Sequence, residues 1–149
     1  MPVVNGCHLP DDLFYDVRNQ LWYRELPDGS VEVGITAVAS AMVGHIIAVT
    51  PKRPGRRLEA GQACAVVEAG KLIGAAKIAF AAEILASNED LLDRPGPINT
   101  DPHGAGWLVR VKPEDWPSAK AALTPGPEVA EPYLRKMREE DFPGCEGPS

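Results

Sequence analysis

Apolar residues in this chain recur in short runs broken by turn residues, a rhythm of strands and not the sustained three-and-four spacing of a helical protein. Between positions 21 and 35, two apolar runs flank Pro27-Asp28-Gly29, and Asp-Gly between such runs predicts a β-hairpin. Val31, Val33 and Ile35 share one face of its second strand, with Glu32 and Gly34 between them. Thr36 is placed to cap a short Ala-rich helix over 37–43 that Gly44 ends. Strands are then expected over 45–49, around Leu58 and over 63–68, with turns at 51–55 and at Gly61. A related rhythm returns over 83–86 and 107–111, separated by the loop Pro95-Gly96-Pro97. It predicts a weak duplication in which two similar β units face one another over a shared core. Past Lys112, Pro113-Glu114-Asp115-Trp116 opens a helix through Ala119 to Leu123, and 131–140 predicts a second, charged one with Pro132 near its first turn. A loose tail is expected over 142–149.

Composition narrows the class. The 149 residues, 44% of them hydrophobic, are enough for one core, and fifteen Pro with fourteen Gly suit a turn-rich β protein. Three segments are expected: an N-terminal extension over 1–20, the main domain over 21–112, and C-terminal helices and tail over 113–149 packed on it. A net charge of −6 provides no positive field for a nucleic acid backbone. The basic cluster Lys52, Arg53, Arg56, Arg57 sits in a Pro and Gly loop and reads as a solvated turn. No apolar stretch approaches the ~20 residues of a spanning helix, so no membrane partner and a cytoplasmic location are expected.

Cys7, Cys64 and Cys145 form no close pair, and their odd number suits a reducing compartment. Cys64 reads as a buried core residue. Cys7 and Cys145 are expected to be exposed near opposite termini, where a thiolate could attack a dithiolane, although nothing in the sequence sets either beside the candidate lysine below. His8, His45 and His103 lie too far apart for a metal motif. His45 reads as a partly exposed strand residue and His103 as surface packing. Glu68 and Glu83 lack a partner base, and Trp22, Trp107 and Trp116 read as packing residues. No catalytic residues are expected.

The candidate chemistry lies in Ala69-Gly70-Lys71-Leu72-Ile73-Gly74, where two glycines bracket a lysine as a tight, exposed turn requires. Around it stand Val33-Gly34-Ile35-Thr36, Gly44, Gly55, Gly61, Ala65-Val66-Val67-Glu68-x-x-Lys71, Asn88-Glu89, Pro95 and Asn99-x-Asp101-Pro102-x-Gly104-x-Gly106-Trp107-Leu108. This order and spacing resembles the glycine cleavage H proteins, without a gap from Gly34 to Lys112. The resemblance implies a mostly β, lipoyl-type barrel-sandwich hybrid with short helices after the second strand and at the C-terminus. It also implies lipoate covalently attached to Lys71, with Glu68, Gly70 and Gly74 serving ligase recognition and turn geometry. The implied partners are a lipoate-protein ligase or lipoyl transferase. Lys77 matches no such position and reads as a solvated strand residue.

The chain departs from the usual H-protein pattern. Glu68-Ala69-Gly70-Lys71-Leu72 stands where Glu-Ser-Val-Lys-Ala is common, Ala79-Phe80-Ala81-Ala82 replaces a Pro-x-x-Gly turn, and Asn19-Gln20-Leu21-Trp22 replaces His-Glu-Trp. The form Glu68-x-Gly70-Lys71-x-x-Gly74, with the opening Asn5-Gly6-Cys7-x-x-Pro10-x-Asp12-Leu13-x-Tyr15, is similar to the lipoate-binding proteins of bacterial sulfur oxidation. The leading expectation is therefore a monomeric carrier of electrons or a sulfur-bound intermediate, serving a heterodisulfide-reductase-like complex. The alternatives are a glycine cleavage carrier of the aminomethyl group and an unlipoylated binding or scaffold module.

Overall fold

Alternating burial sets the strands, and the sites where both faces are buried show how the sheets stack. The computed structural model describes residues 3–70 and 72–145. Along the chain run β1 (Val3–Val4), β2 (Cys7–His8), β3 (Phe14–Asp16), β4 (Leu21–Glu25), β5 (Val31–Ile35), α1 (Ala37–Val43), β6 (Ala48–Pro51) and β7 (Arg57–Leu58). There follow β8 (Ala63–Ala69), β9 (Leu72–Lys77), β10 (Ala82–Ser87), α2 (Asp90–Asp93), α3 (Gly96–Thr100), β11 (Val109–Pro113), α4 (Trp116–Ala121), β12 (Thr124–Pro125), a 3-10 turn (Gly126–Glu128) and α5 (Ala130–Glu139). The molecule is mostly β, as the pattern predicts. No described helix is long and apolar enough to cross a membrane.

Seven strands form an antiparallel sheet in the order β12-β3-β4-β5-β11-β10-β7, and three form a second sheet, β6-β8-β9. Leu21, Tyr23, Val31, Val33 and Ile35 from the large sheet meet Val49, Cys64, Ala65 and Ala76 from the small one in a single core. Removing such aliphatic side chains from water contributes roughly 1.5–3 kcal/mol each.

A second buried cluster, including Val4, Leu13, Tyr15, Trp22, Tyr133 and Met137, joins the N-terminal segment and α5 to the other face of β4. This explains why all five residues of β5 are buried, Glu32 and Gly34 included. Glu32 is held between two guanidinium groups, Arg24 Nη1 at 2.8 Å and Arg110 Nε at 3.0 Å, as a buried carboxylate must be. Trp22 lies across Gly34, filling the space a Cβ would take, and donates its Nε1–H to the Pro102 carbonyl at 2.8 Å.

Thr36 caps α1 as expected, its Oγ1 accepting the Ala39 N–H at 3.1 Å, and Gly44 ends the helix. Tyr133 donates to the same hydroxyl at 3.1 Å, pinning α5 to the start of α1. Lys77 is an exposed strand residue and Cys64 is buried, both as expected, and Glu83 is exposed within β10.

Several expectations need correction. Cys7 and Cys145, expected to be exposed near opposite termini, form a disulfide across a sequence separation of 138, and Cys7 is fully buried. Spacing in sequence carries no information about such a pair, because it is the docking of α5 beside β1 that brings the ends together. Nor are residues 142–145 a loose tail: Phe142 N–H donates to Met137 O at 2.8 Å and Cys145 N–H to Asn5 O at 3.0 Å. The rest of that tail, 146–149, lies outside the described residues. His45 occupies a bend before β6 and not a strand.

Candidate functional site

The β8–β9 hairpin is built by strict pairing: Val67 opposite Gly74, Glu68 opposite Ile73, and Ala69 opposite Leu72. Ala69 and Leu72 are thus joined by a connection of two residues, Gly70 and Lys71. Gly70 has φ +58°, and a Cβ there would meet nothing, so it is conformation and not room that favours glycine at this point. Lys71, the expected modification site, lies outside the described residues.

On the other side of β8, β6 pairs Ala48 with Glu68, and the Ile47 N–H donates to the Glu68 carbonyl at 2.8 Å. The hairpin is therefore braced along one strand while β9 forms the sheet edge. The Glu68 side chain is half-buried. Gly74 lies within β9, exposed, with open space where a Cβ would stand. Leu72, Ile73 and Ile47 are 53%, 67% and 55% exposed, a collar of aliphatic side chains close to the turn.

Along the flank of this hairpin, reaching the residues beside its turn, is a hollow of about 180 Å³ lined by Leu21, Ile35, Val43, Val67, Leu72 and Ala75 among others. Gln20 also lines it, and its Oε1 is buried without a hydrogen-bond partner among the described residues. An apolar cradle fits a flexible hydrocarbon arm, and its one unsatisfied acceptor fits a donor group carried on the end of that arm. No group of three or more metal-ligating side chains occurs among the described residues.

The site is framed by side chains whose roles the sequence left unread. Asn99 clamps Ile46 from both sides, Oδ1 accepting its N–H at 2.8 Å and Nδ2 donating to its carbonyl at 2.9 Å. Asn88 Nδ2 ties together the Ala105 and Trp107 carbonyls. Both asparagines fall in the quoted motif, and an amide between glycine-rich loops is the signal that points to such clamps.

His103 is not mere surface packing. Its Nε2 accepts the Ala37 N–H at 3.2 Å at the start of α1, and its ring meets Trp22 edge-on. Burial, followed by the nearby Arg24 charge, pushes its pKa down to about 4. Neutral imidazole is the form that can accept that bond.

The stacked sheets and the short lysine-bearing hairpin define a lipoyl-type barrel-sandwich carrier. The family model for the glycine cleavage H-protein matches residues 13–136, and the chain belongs to that family. Glycine cleavage system H protein 2 of Aquifex aeolicus (strain VF5) is 36% identical over 136 residues, covering 91% of this chain and 84% of its own. The H protein of Halorhodospira halophila (strain DSM 244 / SL1) is 42% identical over 107 residues, covering 72% and 82%. The crystal structure of a glycine cleavage system H protein from Mycobacterium marinum superposes with a TM-score of 0.73 at 31% identity, covering 87% of this chain and 99% of that one. Members of the family are lipoyl carriers without catalytic activity of their own, bearing lipoate on a lysine. They interact with lipoyl ligases and with the enzymes of the glycine cleavage system.

These matches overturn the leading expectation of a sulfur-oxidation carrier serving a heterodisulfide-reductase-like complex. Its main support was the short form Glu68-x-Gly70-Lys71-x-x-Gly74, set in a hairpin. A turn constrains its residues by shape, and so it carries little information about pathway compared with a match over most of the chain.

Proposed function

We propose that this chain is the carrier of a glycine cleavage system, with lipoate in amide linkage to Lys71 Nζ, moving an aminomethyl group between enzymes. When bound, the dithiolane supplies the disulfide that accepts the group and the dithiol that later yields electrons. The observation that carries the reading is the two-residue connection between paired Ala69 and Leu72, which holds the candidate lysine in a hairpin braced by β6. Gly70 supplies the left-handed turn residue, Glu68 offers a carboxylate three positions before the lysine for ligase recognition, and Gly74 keeps the strand beyond it narrow. The hollow beside the hairpin excludes water from an arm folded back into it, and Gln20 Oε1 is placed to accept a hydrogen bond from the amine of a carried aminomethyl group, because the dithiolane itself has no donor. A cytoplasmic location belongs to the same reading.

The test is intact mass followed by exchange. Incubation of the full chain with a lipoate-protein ligase is expected to add one lipoyl group, lost in Lys71→Arg. The lipoylated chain is expected to support glycine–bicarbonate exchange with purified glycine decarboxylase. Failure of any ligase to modify the chain would favour the unlipoylated scaffold, and modification persisting in Lys71→Arg would move the site, with Lys77 the nearest candidate.

A further inference from the structure

A second hollow, about 490 Å³ and open to solvent, lies against α1 and the loop before β11, with Cys7, His8, Ala41, His45, Asp101 and Cys145 in its wall. The disulfide therefore borders a space wide enough for a small molecule. Cys7 is fully buried and Cys145 partly exposed, so the two sulfurs are not equivalent toward an incoming thiolate. We infer that the Cys7–Cys145 disulfide is a thiol-exchange site opening on this hollow, and that it takes a small dithiol of the dihydrolipoyl class as reductant. The inference does not depend on Lys71 bearing lipoate.

The step balances without another reagent. One thiolate of the dithiol attacks Cys145 Sγ, the protein S–S bond breaks, and Cys7 leaves as a thiolate that takes up the proton lost by the attacking thiol. The second thiol of the same molecule then attacks its own sulfur in the mixed disulfide. A cyclic disulfide closes and departs, and Cys145 is left as a thiol. Two electrons and two protons pass from the dithiol to the protein. A monothiol would need a second molecule to enter the same hollow, whereas the second thiol of a dithiol is already there at high effective concentration.

The fold accommodates the product. Cys145 Sγ lies 3.6 Å from the Ala37 carbonyl oxygen, an acceptor for the thiol once it is reduced. The Cys145 N–H keeps its bond to Asn5 O, so the segment retains an attachment when the covalent one is gone. The remaining thiol does not compete: Cys64 is buried, and burial pushes it up to about 12. Reduction thus converts the junction of the N-terminal ribbon with the C-terminal segment from covalent to non-covalent while leaving both sheets in place.

The experiment uses the full-length Lys71→Arg chain, which has no arm on that lysine, oxidised and folded. It is incubated with free dihydrolipoamide or with glutathione at equal thiol concentration, then alkylated and read by intact mass and peptide mapping. Dihydrolipoamide is expected to yield alkylation at both Cys7 and Cys145 and none at Cys64, roughly tenfold or more faster than glutathione. Ala41→Phe, which fills part of the hollow from α1, is expected to slow the dihydrolipoamide reaction by about tenfold. Reduction only in denaturant, equal rates for the two reagents, an unchanged rate in Ala41→Phe, or a chain isolated with all three thiols free would each overturn the inference.

Discussion

Protonating His103 should loosen this fold at mildly acidic pH. An unfolded histidine takes up its proton near pH 6.5, while His103 in the folded chain resists until about pH 4, chiefly because it is buried and secondly because Arg24 is close. Asp101 and Asp12 act in the opposite direction, by less. Between those two values the unfolded state binds more protons than the folded one, so stability is fully present above pH 6.5 and falls as the pH falls toward 4. At 1.36 kcal/mol per pH unit, the drop from pH 7.5 to 4.5 amounts to roughly 2.7 kcal/mol for a sealed group, and about 2 kcal/mol after allowing for partial exposure.

Geometry predicts the same sign, since an imidazolium cannot accept the Ala37 N–H that Nε2 now accepts. The comparison is urea unfolding of the wild type and His103→Gln at both pH values. Glutamine keeps an acceptor but does not titrate, so the variant should lose about 2 kcal/mol less than the wild type on acidification. The carboxylates titrate in both proteins and cancel. Parallel losses in the two proteins, or an imidazole NMR titration centred near 6.5, would refute the reasoning.

Gly34→Ala drives a methyl group into the fully buried Trp22 ring and is expected to cost roughly 3 kcal/mol, read as a Tm lower by about 6–12 °C in calorimetry; an unchanged Tm would show that the ring can move aside. Cys145→Ser removes a cross-link spanning 138 positions, for which loop entropy sets a ceiling of about 5 kcal/mol, so a Tm lower by on the order of 10 °C under non-reducing conditions is expected. Equal melting of the variant and the oxidised wild type would mean that the bridge constrains little.

Where local chemistry decides the structure, it was legible. Thr36 and Gly44 bound a helix of seven residues at the expected positions, and Pro27-Asp28-Gly29 turns between β4 and β5. Where pairing partners decide it, the residues said less. No strand is expected over 72–76, yet β9 runs over Leu72–Lys77, because Gly74, Ala75 and Ala76 are poor strand formers held in place by their register with β8. β3 has three residues and no alternation to read, yet it pairs with both β4 and β12. Pro95-Gly96-Pro97 reads as a loop, but proline's fixed φ suits a first helical turn, and α3 begins there. In β5 the alternation was visible on one face only, because Glu32 and Gly34 are covered by Arg24 and Trp22 of the paired strand β4 and by Arg110 of β11, contacts that the run 31–35 does not itself display.

The departures around the lysine are best understood from what a hairpin of this kind must do. A carrier visits several enzymes through one turn, so attraction near that turn must be weak and reusable. The aliphatic collar meets that demand: burying what remains exposed of Ile47, Leu72 and Ile73 would contribute about 1 kcal/mol each, enough to favour docking and too little to prevent release. Such contacts are non-directional, and any apolar groove of suitable shape satisfies them. A residue exchange within the turn, such as Gly70 for a valine, therefore alters backbone preference more than choice of partner. This is why the hairpin motif read alone pointed to a different pathway from the one supported by the family match over 13–136. Selectivity among partners must come from surfaces with fixed charge and shape.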